Sequence, residues 1–186
     1  MHVSALGLGV GTRKSRFLTS KQVGEQAISA AGGDWVIARL SLLDGEGGYG
    51  AAWLRGVAKS PVFVVPTSAK GRIAALTADD AGEALAQLCL GSNQTLQLEQ
   101  SREFELGGEH PVDFEAYIRG LRQRHTANRA WCIAVPGVLA RLGAHICDVL
   151  HFSPFSFGHW ELLCYDNVPN PNRLGELLGR EPRRVV

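Results

Sequence analysis

Met1-His2-Val3-Ser4-Ala5-Leu6, then Ser20-Lys21-Gln22-Val23-Gly24-Glu25-Gln26-Ala27-Ile28-Ser29-Ala30-Ala31, then Asp34-Trp35-Val36-Ile37-Ala38-Arg39-Leu40: these three runs decide the fold. The first is short, apolar and followed by glycines, the pattern of a buried parallel strand. The second carries Val23, Ala27, Ile28 and Ala31 at helical spacing, with Thr19 or Ser20 able to cap it and Gly32-Gly33 able to stop it. The third is again a strand. Strand, helix, strand at this pace is a βαβ unit, so the chain reads as α/β with a parallel sheet.

Outward from that unit, Asp44 to Gly48 reads as a turn, Tyr49 to Ser60 as a helix, and Pro61 to Pro66 as a strand bounded by prolines. Lys70-Gly71-Arg72 lies in a loop before a short apolar stretch, Ile73 to Leu76. Thr77-Ala78-Asp79-Asp80 opens a helix from Ala81 to Leu90, its acidic residues suited to the positive helix end. Thr95 to Leu98 and Arg102 to Leu106 read as strands, and Gly107-Gly108 closes the section. Beyond it, a helix over about Glu115 to Arg124 and another from Pro136 lead into a helical remainder with proline breaks. With no long polar linker, this predicts a partial Rossmann-like core over 1–108 and a mostly helical lobe over 109–186 packed on the same core.

Composition bounds the function. Of 186 residues 45% are apolar, enough for one core, and a net charge of +1 gives no reason to expect nucleic acid as a partner. No apolar run approaches the roughly 18 residues needed to span a bilayer and no leader is evident, so a cytoplasmic protein is expected. Cys89, Cys132, Cys147 and Cys164 are widely spaced in apolar contexts and read as buried free thiols. His145, Asp148 and His151 are spread too widely around a helix to form a compact metal site. Asp79 and Asp80 read as helix-capping acids rather than a catalytic pair, and Arg180, Arg183 and Arg184 as a solvated basic tail. Phe152, Phe155 and Phe157, packed with His159 and Trp160, suggest peripheral docking on a membrane or larger complex, or a lid over a cleft.

Ser4 ends the first strand, and Phe17-Leu18-Thr19-Ser20-Lys21 follows with an aromatic and a Lys at i and i+4, positions that share one face of a helix. With Gly24-Glu25, this resembles the Ser, Tyr-x-x-x-Lys arrangement of short-chain dehydrogenases/reductases. Further landmarks stand in that family's order: Asp34 to Ser41 with Gly45, Asp79-Asp80-Ala81, Phe104 to Gly108, and Asp166-Asn167 with Leu178-Gly179-Arg180. From about Val3 to Pro182 the chain is similar to the C-terminal part of the extended, NAD-dependent epimerase/dehydratase-like group, in the subgroup related to the nucleotide-binding accessory subunit of respiratory complex I. The resemblance implies that Ser4 holds a substrate carbonyl, that Lys21 bonds the nicotinamide ribose, and that Arg39-Leu40-Ser41-Leu42 lies along the nicotinamide end of NAD or NADP in a full-length form.

The departures are as informative. Phe17 stands at the family's Tyr position and has no hydroxyl to exchange a proton. Leu40, Ala75 and Thr77 replace a proline, a proline and a histidine. Gly7-Leu8-Gly9-Val10-Gly11 has Thr12 where a dinucleotide loop needs its third glycine, so it reads as a flexible loop, and the family's N-terminal βαβ cofactor unit is not found. The expectation is an NAD(P)-binding protein fragment with weakened or lost oxidoreductase or epimerase activity, and this chain alone binds the cofactor or does not. Its open sheet edge would be covered by self-association or by a partner protein. The alternatives are a non-catalytic structural or assembly protein, and an active reductase whose proton comes from Tyr49 or a water near Ser4.

Overall fold

The computed structural model describes residues 1–8, 15–90, 102–126, 128–150 and 156–186. The expected strand at Thr95 to Leu98, the loop residues Gly9 to Lys14, and His151, Phe152 and Phe155 lie outside the described residues. The chain is a mixed α/β structure. In order it forms β1 (His2–Ala5), α1 (Arg16–Ala30), β2 (Ile37–Leu40), β3 (Leu43–Asp44), α2 (Tyr49–Lys59), β4 (Val62–Pro66), β5 (Arg72–Ile73), β6 (Leu76–Thr77), α3 (Ala78–Leu90), β7 (Glu103–Leu106), β8 (Val112–Asp113), α4 (Phe114–Gln123), β9 (Trp131–Val135), α5 (Gly137–Leu150), α6 (Phe157–Leu163) and α7 (Leu174–Leu178).

The expected βαβ unit forms the centre. β1, β2 and β7 make one parallel sheet in that order, with Ser4, Arg39 and Glu105 side by side in register. Among the described residues nothing pairs with the outer edge of β1. The helix between the first two strands starts earlier than the periodicity indicates. Ser15, not Thr19 or Ser20, is the cap, its Oγ accepting the Leu18 N–H at 3.3 Å. That extension places Phe17 and Lys21 in the first turns of α1.

Smaller parallel pairs, β3 with β6 and β4 with β9, flank the sheet, and β5 pairs antiparallel with β8. The β4–β9 and β5–β8 pairs run across residue 108, as do bridges from Glu105 to Asn172 and from Ile73 to Asn167. β9 has no counterpart in the helical remainder read from the sequence. Its pairing partner lies about seventy residues upstream, so its strand character comes from tertiary context. Two core clusters result. One joins Leu54, Phe63, Phe114, Tyr117 and Ile118; the other joins Leu40, Leu76, Leu88, Phe104, Leu106 and Leu174. Gly108 allows the crossing between them: a Cβ there would lie 2.2 Å from the Ala75 carbonyl oxygen, and its N–H donates to Ala74 O at 2.9 Å.

Three expectations are corrected by packing. Thr77, rather than an aspartate, caps α3, its Oγ1 accepting the Asp80 N–H at 3.1 Å. The Asp80 carboxylate is fully buried and takes the Arg183 N–H at 2.6 Å and the guanidinium groups of Arg180 at 2.8 Å and Arg183 at 2.9 Å. The basic tail is therefore only partly solvated: a buried carboxylate requires cations, and Arg180 and Arg183 supply them, while Arg183 and Arg184 remain exposed. Val185 is buried in the same strap. Nor are the cysteines buried; Cys89 is exposed at the outer end of α3, and the other three are half-buried.

Burial alone would raise the Asp80 pKa, but Arg180 and the Arg183 N–H outweigh it and hold the carboxyl below the usual range. A depressed folded pKa stabilises fully above the unfolded carboxylate value, about 3.9, and that stabilisation disappears as pH falls through the folded value. Asp80→Asn is expected to cost about 3 kcal/mol in urea unfolding at pH 7. The gap between wild type and variant should narrow as pH falls below about 3.9; a gap that stays constant through that range would show that the ion cluster is not its source.

Candidate functional site

A cleft of about 580 Å³ opens beside the C-terminal ends of β1 and β2. Its floor is Val3 to Leu6 and Leu40 to Leu43, its walls include Ala51, Trp53 and Leu54 of α2 and Phe114 of α4, and its rim carries Phe17, Lys21, Glu46 and His159. The lining is mostly apolar with a few convergent polar groups, the usual character of a small-molecule site, and it sits at the strand ends where open parallel sheets bind ligands.

The structure thus brings Ser4, Phe17, Lys21, Leu40, Ser41 and Leu42 to one cleft. Arg39 is the exception among the expected site residues. It does not line the cleft: its Nε and Nη2 donate to Glu25 on α1 at 2.9 and 2.7 Å, and Nη1 pairs with Glu103 of β7 at 2.7 Å. Its side chain points under α1, where the two carboxylates hold the guanidinium. Burial would raise the Glu25 pKa, but Arg39, Ser4 and His2 together hold the carboxyl low. The two guanidinium partners raise that of Arg39.

Ser4 is buried, and its hydroxyl lies near enough to Glu25 to favour the carboxylate without completing a hydrogen bond of good geometry. It is an unpartnered buried polar atom at the wall of a cleft. Lys21 Nζ donates to the Val3 carbonyl at 3.2 Å, holding the ammonium at the end of β1. Ser41 is more fully occupied: its Oγ donates to Asn167 O at 2.9 Å, and its N–H donates to Leu106 O at 2.9 Å. Asn167 in turn donates through Nδ2 to Leu162 and Tyr165 carbonyls at 2.7 and 3.0 Å, locking the C-terminal segment onto the cleft floor.

Two residues at the rim differ from expectation. Tyr49 is 69% exposed and absent from the lining, whereas its neighbours Gly48, Gly50 and Ala51 belong to it. His159, grouped by sequence with the C-terminal aromatics, stacks instead on Phe17, ring centroids 5.8 Å apart and planes 21° apart. Trp160 and His145 are the rings that pack on Phe157, at 5.3 and 4.3 Å. Gly158 makes the approach of α6 to α1 tight enough: a Cβ there would meet Phe17 Cβ at 3.0 Å. His159, Leu162 and Leu163 bring α6 over the cleft in the position of a lid. No local pattern could single out His159, because its partner lies on a different helix. Among the described residues no group of His, Cys, Asp and Glu is placed to hold a metal ion.

The unpartnered Ser4 hydroxyl gives an expected outcome that separates site from scaffold. Ser4→Ala removes no completed hydrogen bond, so it should change unfolding stability by less than about 1 kcal/mol. Glu25→Ala leaves Arg39 half-buried with one carboxylate fewer and should cost about 3 kcal/mol. A Ser4→Ala loss as large as that of Glu25→Ala in the same urea titration would make Ser4 part of the scaffold.

No family model matches the chain, and no curated protein sequence does. Several solved structures do. A novel NAD-dependent NDP-hexosamine 5,6-dehydratase, TunA, involved in tunicamycin biosynthesis, superposes with a TM-score of 0.57 at 12% identity, over 94% of this chain and 50% of that one. The UDP-glucuronic acid 4-epimerase from Bacillus cereus, solved with UDP-glucuronic acid and NAD, gives 0.59 at 12% over 98% and 56%. Pal from Bacillus thuringiensis gives 0.56 at 16% over 100% and 55%. The chain spans about half the length of each, and at these identities the likeness is one of fold: the chain has the Rossmann-like α/β fold of NAD-dependent epimerase and dehydratase enzymes.

Proposed function

We propose that the chain supplies the nicotinamide and substrate side of an NAD(P)-binding site of the short-chain dehydrogenase/reductase type, in the subgroup akin to the complex I accessory subunit, with oxidoreductase or epimerase activity weakened at Phe17. The observation that carries this reading is the cleft itself, which gathers Ser4, Phe17, Lys21 and the Leu40 to Leu42 stretch from three separate parts of the chain.

The residues fit the nicotinamide end of such a cofactor. The buried Ser4 hydroxyl has an unused hydrogen-bonding capacity, the Lys21 ammonium can donate to a ribose, and Leu40, Leu42 and Leu54 offer an apolar bed for a flat ring. Bound there, the cofactor would supply or accept hydride. Lys21 would orient the ribose, and the apolar wall would exclude water from the reacting carbon. Phe17 contributes surface and no proton. The solved UDP-glucuronic acid 4-epimerase, which shares the fold, holds NAD.

A second reading, a non-catalytic interaction protein, is favoured by one surface. Val62, Val64, Trp131 and Ile133 of the β4–β9 pair and Val138, Leu142 and Val149 of α5 are exposed, Trp131 at 79%. Val62 lies beside Trp131 and Val64 beside Ile133, and an exposed apolar strip of this kind suits a partner protein or self-association.

Fluorescence titration with NADH and NADPH separates the two. Binding tighter than about 1 mM, weakened roughly tenfold by Lys21→Ala, supports the cofactor site, the tenfold corresponding to about 1.4 kcal/mol for one charge-assisted hydrogen bond. Binding that Lys21→Ala leaves unchanged, or none, refutes it, and concentration-dependent association by light scattering would then favour the interaction role.

A further inference from the structure

Imidazole is the side chain whose unperturbed charge change falls nearest neutral pH, and the cleft carries one, on His159. We infer that His159 exchanges a proton through Nε2 with a carbonyl or alcohol substrate in this cleft, beside the ring where Phe17 has no hydroxyl. The inference rests on the cofactor reading above.

Three observations support it. Stacking on Phe17, with ring centroids 5.8 Å apart, puts the imidazole beside that ring at the rim of the cleft. Ser156 Oγ, which accepts the His159 backbone N–H at 3.3 Å, lies 2.7 Å from Nδ1. A hydroxyl oxygen has two lone pairs, so it can also accept from Nδ1–H, which leaves Nε2 as the nitrogen free to exchange a proton. A base held by a third group through its far nitrogen is a recurrent arrangement for proton transfer. The ring is exposed in area but enclosed by the cleft walls, and that enclosure lowers its pKa, opposed by Asp148. The other charged or titratable groups on the elements around it are Arg141, His145 and Cys147 on α5, Arg16, Lys21 and Glu25 on α1, Glu161 on α6 and Glu46 at the rim.

In the reducing direction, hydride from a reduced nicotinamide adds to the carbonyl carbon while the carbonyl oxygen takes the Nε2 proton. Imidazolium becomes neutral imidazole protonated on Nδ1, and solvent restores the proton. The oxidising direction reverses each transfer. Reduction should therefore slow as pH rises through the His159 pKa, because the imidazolium that donates is lost.

Two measurements on the full chain test this. Long-range proton–nitrogen NMR, with His159 assigned by its loss in His159→Gln, reads the tautomer without any ligand. A neutral form protonated on Nδ1, displaced toward Nε2–H by Ser156→Ala, is expected; a wild-type ring held as Nε2–H overturns the inference, since Nε2 then has no lone pair. NADPH oxidation by 9,10-phenanthrenequinone is then followed in a four-protein cycle of His159→Gln and Phe17→Tyr. His159→Gln should lower kcat about 10²-fold in the wild type and less than about threefold where Phe17→Tyr restores a hydroxyl. Equal losses in both backgrounds, no loss, or NADPH binding without turnover in all four proteins overturns it. Failure of NADPH to bind at all refutes the cofactor reading instead, and the tautomer then decides for or against His159.

Discussion

Glu25 holds the helix that carries half the site to the strand at the centre of the sheet. Its carboxylate reaches from α1 to Arg39 on the middle strand β2, which also binds Glu103 on β7, so one guanidinium ties a helix and two strands. Both carboxylate and guanidinium give up water to make this contact, and the pairing offsets that cost only because the geometry is bidentate. What the contact chiefly provides is register. Glu25 lies one turn beyond Lys21 and two beyond Phe17, so fixing Glu25 over Arg39 fixes where those side chains meet the end of β1. The Lys21 bond to the Val3 carbonyl and the Ser15 cap secure the same helix at its start.

The opposite wall of the cleft is secured from the C-terminal residues. Ser41 and Asn167 bind each other through a hydroxyl and a carbonyl, Asn167 holds the end of α6 through Nδ2, and Glu161 on α6 accepts the N–H of Ser15, the cap of α1. These bonds close a ring of contacts around the cleft: β1 to α1, α1 to α6, α6 to Asn167, and Asn167 to the strand end after β2. The Asp80 cluster anchors the strap from Arg180 onward to α3. Rigid strands beneath and a short helix above give a site whose floor is fixed and whose cover rests mainly on aromatic stacking and the tight Gly158 contact.

What was legible in the sequence follows from range. β1, α1 and β2 announce themselves because strand and helix periods are local, and Ser4, Phe17 and Lys21 could be placed on one cleft from spacing and resemblance. Arg39 falls outside the lining that Leu40, Ser41 and Leu42 share, because its partners, Glu25 on α1 and Glu103 on β7, are set by tertiary packing that the local sequence does not display. β9 was invisible for a different reason: Trp131 to Val135 becomes a strand through pairing with Val62 to Pro66. The arginines of the C-terminus looked solvated because their partner, Asp80, is a hundred residues away and its burial is a tertiary fact. His159 belongs with these, a residue whose neighbour on another helix gives it its setting.

Phe17 takes on a different meaning in that setting. A phenyl ring has no hydroxyl to exchange a proton, and it offers its face to a neighbouring ring. The benzene face that remains is flat and apolar, and His159 lies nearly parallel to it. Burial within the cleft lowers the His159 pKa, and Asp148 opposes that shift. The Ser156 contact at Nδ1, 2.7 Å long, holds that ring in place on α6. The stack depends on one packing contact, at Gly158, where a side chain would push α6 and its histidine away from α1.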